Sequence, residues 1–210
     1  MASLADLVPI PSRDVMNIGL TSAREDTMLA QLGAPGKLTP DCSPPSPAIA
    51  TRMVSGVNVG PFRVSGLALA VESLKLVFAA VQARSPEVHE AVKTAGMLCV
   101  RARRHNPAHF SNHSWGTAID LYFGTRVVPQ GRPLCQRGFL DLYAAFNANG
   151  WYWGAEFSGD SVDSMHFEVA QETILKWGAA TAGFIAAQAA PPEPPKRKRS
   201  PGKTRRDRST

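Results

Sequence analysis

The chain has 210 residues and a formal net charge of +6, from 23 Lys+Arg against 17 Asp+Glu. Residues 191–210 hold eight of the basic residues and two of the acids, which leaves 15 of each in residues 1–190. The body is therefore neutral, which excludes a domain built as a basic groove for nucleic acid, and no apolar run approaches the roughly 20 residues of a membrane span.

Residues 1–60 are poorly patterned and rich in Pro and Gly, and they read as an irregular N-terminal arm wrapped on the domain, with a short helix near Ser22–Leu32. The spacing of Leu67, Ala70, Val71, Leu74, Val77, Phe78 and Val81 predicts an amphipathic helix. Ser85-Pro86-Glu87 and Gly96 predict a second helix over 86–95, as N-cap, first-turn proline and C-cap. Met97-Leu98-Cys99-Val100 reads as a buried strand, and Thr117–Phe123 as another. Phe139, Leu142, Tyr143 and Phe146 mark a third helix, closed by Asn149-Gly150. Met165–Val169 reads as a strand, and Ile174, Leu175 and Trp177 belong to a last short helix. Helices and strands mix without regular βαβ alternation, so the expected class is α+β, a single domain over 61–188 with a small antiparallel sheet flanked by helices. Residues 189–210 read as a proline-rich linker and a disordered basic tail. Cys42, Cys99 and Cys135 are odd in number and far apart, which predicts buried or incidental thiols in a reducing compartment rather than a disulfide framework.

Two segments carry the chemistry: Ser111-Asn112-His113-Ser114-Trp115-Gly116-Thr117-Ala118-Ile119-Asp120 and Asp163-Ser164-Met165-His166-Phe167-Glu168. They supply imidazoles and carboxylates, the ligand types of a catalytic zinc site with one position left for water. Alternation in 117–123 points Ile119 and Leu121 to the core and Asp120 to the other face, where an aspartate is expensive unless it is paired or binds metal. In 165–169, His166 and Glu168 share a face, and pairing the two strands sets His166 beside Asp120. His113 lies seven residues before Asp120, the wrong parity for a straight strand, so a bend is needed at Trp115-Gly116. Asp163 falls at the mouth of the second strand, placed to reach water at the metal.

The pattern Ser-x-His-x-x-Gly-x-Ala-x-Asp followed by Asp-x-Met-His-Phe-Glu resembles the M15 family of zinc peptidases, D-alanyl-D-alanine carboxypeptidases and L-alanyl-D-glutamate endolysins that share their fold with the hedgehog signalling domain. The resemblance is densest from Phe62 to Glu168, and it includes Gly96–Arg101 and Gly150-Trp151-Tyr152-Trp153-Gly154. It implies one zinc ion held by His113, Asp120 and His166, with Asp163 as general base; many carboxypeptidase members use Glu there, and Asp is similar to the endolysin-type branch. It further implies an upstream arginine that contacts substrate and stabilises the oxyanion. Arg101 is the choice, with Arg103 and Arg104 as neighbours able to take the role. Ser111 and Trp115 are candidate substrate contacts, and Glu168 a residue orienting a ligand histidine. Trp151 and Trp153 are read as core or cleft-lining, His105 and His109 as loop residues with His109 a reserve ligand, and His89 as surface.

The function implied is hydrolysis of the peptide stem or cross-link of bacterial peptidoglycan by a monomer, with no specific nucleic-acid partner. Two alternatives stand beside it: a hedgehog-like module that keeps the metal without catalysis, and a binder of anionic polymer acting through the basic tail. The tail's expected partners are anionic wall polymer, lipopolysaccharide or a membrane surface. The N-terminus shows no secretory signal, so the expectation is a cytoplasmic protein until release, or one that reaches the wall or periplasm by another route.

Overall fold

The computed structural model of the chain describes residues 3–178. The linker and tail at 189–210 lie outside the described residues. In chain order the elements are β1 (Leu7–Pro9), α1 (Glu25–Leu32), α2 (Pro47–Ala50), β2 (Met53–Asn58), β3 (Arg63–Leu67), α3 (Ala68–Arg84), α4 (Pro86–Ala91), β4 (Lys93–Gly96), β5 (Ala118–Tyr122), β6 (Leu134–Gln136), α5 (Phe139–Ala148), β7 (Trp151–Trp153) and β8 (His166–Val169), and residues 171–178 are helical. The class is α+β, as expected. The main sheet is antiparallel in the order β4-β5-β8-β7, with two-stranded pairs β1-β6 and β2-β3 beside it.

The sheet has one apolar face because its strands alternate. Ile119, Leu121, Phe167 and Val169 are buried against α3 and α5. The α3 residues expected from helical spacing, among them Leu74, Val77, Phe78 and Val81, are all buried. Aromatic rings fill the layer between: Phe146 stacks on Phe167 with centroids 4.1 Å apart and meets Phe78 edge-on at 5.8 Å. This layer makes the sheet a rigid platform, so the opposite face can hold polar groups at fixed positions.

Three local expectations are corrected. The second helix stops at Ala91, and Val92 is already extended. The β-branched Val92 and Thr94 suit a strand, and 93–96 pairs with β5, so tertiary pairing overrides the helical signal that Gly96 was taken to close. Met97–Val100 is not a strand of the sheet. Its apolar residues Met97 and Val100 are buried, but its backbone bonds are shared between the arm, through Ser43 N to Val100 O (2.9 Å), and the loop carrying His113, through Cys99 N to His113 O (3.1 Å). That same contact overturns the free-thiol reading: Cys42 and Cys99 form a disulfide, with Cα atoms 5.0 Å apart across a sequence separation of 57. Distance along the chain hid a proximity that the Ser43–Val100 bridge creates. Cys135 is the free, buried thiol among the three.

The arm has more order than its composition suggests. Besides α1, it supplies β1 and α2, and Asn17 is buried with its side chain bonded to Trp153 N and O, Asn147 and Glu156. Asn17 sits at φ 53°, the left-handed region that asparagine tolerates better than most residues.

Candidate metal centre

The register of β5 against β8 sets Asp120 directly opposite His166, on the face turned away from the aromatic core. His113 reaches that face through a sharp bend. Asn112–Trp115 forms a 3-10 turn, and Gly116 follows at φ 61° to start β5. A Cβ at Gly116 would lie 2.5 Å from Gly66 Cα, so glycine is required both for the conformation and for the close approach of β3. The bend supplies the parity change that a straight strand lacks.

Among the described residues, His113, Asp120 and His166 place one ligand atom each within 4.8 Å of one another. Asp120 Oδ1 is 3.3 Å from His113 Nε2 and 3.0 Å from His166 Nδ1. Ligand atoms around a tetrahedral ion with bonds of about 2.0–2.1 Å stand roughly 3.3 Å apart, so the cluster has the size a metal needs. The tautomers agree. His113 Nδ1 donates to Met97 O (2.8 Å), which frees the Nε2 lone pair. His166 Nε2 donates to Glu168 Oε2 (3.0 Å), which frees Nδ1. Hydrogen-bonded acceptors behind metal-ligating imidazoles fix ring orientation in this way.

The charges are tightly coupled. Burial opposes ionisation of Asp120, but the charges and hydrogen bonds of His113 and His166 outweigh it and hold the carboxyl well below the usual range. Burial likewise disfavours a charged His166, yet the Asp120 and Glu168 carboxylates push it up to about 10. Glu168 is buried and still held below its ordinary value by His166, Ser22 and Asn112. A raised His166 carries a proton on Nδ1 at neutral pH, which a metal would have to displace before that nitrogen could ligate.

The cluster opens on a cavity of about 930 Å³, lined among others by Arg101, Ser111, Tyr152, Asp163 and Glu168. Asp163 is raised, by burial and by the Asp120 charge, against the pull of His166. Its Oδ1 is buried without a hydrogen-bond partner among the protein groups, which adds to the cost of ionising it. Gly154 lets this loop close on the site: a Cβ there would lie 2.8 Å from Asp163 O and 3.2 Å from His166 Cβ.

Arg101 is half-buried in the cavity wall, and its Nη1 donates to Ala102 O. Burial and the neighbouring Arg104 lower it, while Asp120 and Asp163 oppose that. Its backbone is tied to the loop that carries His113 on both sides, through Arg101 N to Ser114 Oγ (3.0 Å) and Ser111 N to Arg101 O (3.0 Å). Arg103 and Arg104 also line the cavity, but Arg103 Nε is engaged by Phe110 O. Trp115 is a correction. It is 0% exposed, donates Nε1 to Gly33 O (2.8 Å) and packs edge-on with Phe110 inside the core, away from the cavity. A residue next to the bend looked accessible, but the bend turns its ring inward.

Trp151 and Trp153 are core residues, whereas Tyr152 between them faces the cavity and is pushed up to about 12 by burial and by the charges of Glu156 and Glu168. His109 pairs with Glu25 instead of joining the cluster, His105 Nε2 meets Gln130 Oε1 (3.1 Å) at the cavity rim, and His89 is half-buried against Phe78. Four contributors were not legible beforehand. Asn112 bonds Glu168 and the Ala23 carbonyl, Ser22 and Ala23 bond Glu168, and Arg13 lines the cavity from the arm. Asn112 had a signal in its place beside His113; the arm residues had none.

Residues 104–169, which contain the three clustered side chains and Asp163, match a peptidase family model described as D-alanyl-D-alanine carboxypeptidase. No curated protein and no solved structure matches the chain.

Proposed function

We propose that this chain, a peptidase of the M15 family by residues 104–169, is a zinc-dependent hydrolase of peptide bonds in bacterial peptidoglycan, acting on stem peptides or their cross-links. The observation that carries the proposal is the His113–Asp120–His166 cluster opening on one cavity with Asp163 and Arg101. His113 Nε2, Asp120 Oδ1 and His166 Nδ1 would hold the zinc ion, which when bound would polarise the scissile carbonyl and acidify the attacking water. Asp163 takes the proton of the attacking water and returns it to the leaving amine; a raised carboxyl suits both halves of that task. Arg101, anchored through its backbone to the His113 loop, offers fixed charged donors to the oxyanion or to a substrate carboxylate. Ser111, at the cavity wall, is a further polar contact for the peptide. Asp163 on the wall of the cavity that also reaches His113, Asp120 and His166 favours catalysis over a hedgehog-like module that only binds metal.

The disulfide supports action in oxidising surroundings, such as the periplasm or the outer wall. In this proposal the enzyme works as a monomer, and the basic residues between Lys196 and Arg208 hold it near anionic wall polymer, lipopolysaccharide or membrane by salt-sensitive attraction. The test is incubation of the zinc-loaded full chain with defined muropeptides, read by mass spectrometry. Loss of a terminal D-alanine identifies a carboxypeptidase, and release of the stem between L-alanine and D-glutamate identifies an endopeptidase. Intact muropeptides of both kinds would refute the proposal.

A further inference from the structure

We infer that Ser22, with the Ala23 N–H beside it, is a positioning residue of the metal centre, so that the N-terminal arm is a working part of the site. The inference rests on the proposal that His113, Asp120 and His166 hold zinc. Glu168 is 3% exposed, and four donors converge on its carboxylate. Ser22 Oγ (2.6 Å) and Ala23 N (3.1 Å) bond Oε1, while Asn112 Nδ2 (2.8 Å) and His166 Nε2 (3.0 Å) bond Oε2. Two of the four come from the arm, well outside the segment 104–169 that matches the peptidase model.

A carboxylate turns about its last bond unless both oxygens are held. Ser22 and Ala23 fix Oε1, and that sets the direction in which Oε2 meets the imidazole. Glu168 in turn holds the proton on His166 Nε2 and aims Nδ1 at the cluster. Without the Ser22 hydroxyl, Oε1 keeps only the longer Ala23 N–H bond (3.1 Å), so the carboxylate is held less firmly beside the cavity, which both Ser22 and Glu168 line. The Ala23 backbone itself stays in place, because Asn112 Nδ2 donates to its carbonyl (3.1 Å). The loss therefore falls on the aim of His166 and leaves the docking of the arm intact.

The experiment measures zinc affinity of the full chain by competition with a chromophoric chelator, using zinc alone as the probe. Ser22→Ala is expected to weaken zinc binding by about 10-fold, the lower end of what loss of a group behind a ligand costs, and Ser22→Thr, which keeps the hydroxyl, is expected to restore most of it. Thr21→Val is the control for arm docking. It removes the neighbouring Thr21 Oγ1 bond to Glu172 (2.8 Å) at an exposed position and should leave zinc affinity unchanged. Wild-type affinity in Ser22→Ala, with zinc binding intact in the parent chain, overturns the inference alone. Equal weakening in Thr21→Val also overturns it, since loosened docking would then suffice. Failure of the parent chain to bind zinc overturns the metal-site proposal and this inference together.

Discussion

The Cys42–Cys99 disulfide ties the arm to the segment that supports the His113 loop, and its removal should be felt in stability before it is felt in chemistry. Cross-linking residues 57 apart in sequence removes chain entropy from the unfolded state. For a loop of that length the loss corresponds to about 4 kcal/mol at 25 °C. The native contacts around the bridge are unstrained hydrogen bonds, Ser43 N to Val100 O (2.9 Å) and Cys99 N to His113 O (3.1 Å), and they persist when the sulfurs are gone. The effect should therefore come mainly through the unfolded chain. The double variant Cys42→Ala/Cys99→Ala is expected to lose about 4 kcal/mol in urea denaturation, equivalent to roughly 8–16 °C in Tm for a chain of this size. Thiol titration in denaturant without reductant should find one reactive thiol, Cys135, and three after reduction. Three thiols before reduction would show that the two cysteines are not joined in solution, and a stability loss below about 1 kcal/mol would refute the chain-entropy account of the bridge.

Asp163→Ala should bind zinc as the parent chain does and lose about 10²–10⁴-fold in kcat, the range for a positioned acid-base group; near-normal turnover would remove Asp163 from the chemistry. Trp115→Phe should cost about 2 kcal/mol, from the lost Nε1 bond to Gly33 O and the void left by the smaller ring, and leave KM unchanged; a raised KM would return Trp115 to the cavity. Burial pushes the Cys135 thiol up to about 11, so its thiolate is absent in the native chain at ordinary pH. Alkylation at pH 8 should be slow until the chain unfolds. Because the native state holds this proton more tightly, the associated stability is complete below the unfolded thiol value near 9 and is lost as pH rises through about 11. Rapid native-state alkylation, or stability that is flat between those values, would contradict that placement.

The α+β class, α3, α5, the two central strands and the pairing of Asp120 with His166 were all legible in the sequence. The elements rest on short-range periodicity, which one strand or one helix face expresses within a few residues, the class on their order, and the Asp120–His166 pairing on setting the two strands side by side. The bend that returns His113 to the Asp120 face was legible too, because the parity of His113 demanded one and Trp115-Gly116 offered it. The fate of 92–100 was not. Its helix, strand and thiol signals were each overridden by partners remote in sequence: β5, the His113 loop and the arm. Trp115 shows the same limit from the other side, since a position next to a ligand carries no information about which way its ring turns.

The sequence by itself determined which side chains could ligate a metal and which strand face would carry them, because both follow from residue chemistry and a two-residue repeat. Tertiary structure alone decided what stands behind those ligands. Ser22 and Ala23 reach Glu168 only because the arm folds back over the sheet, and Met97 O meets His113 because the 97–100 segment packs beside the His113 turn. A serine hydroxyl or a backbone N–H in a proline- and glycine-rich stretch looks like any other loop atom until the chain brings a buried carboxylate to it.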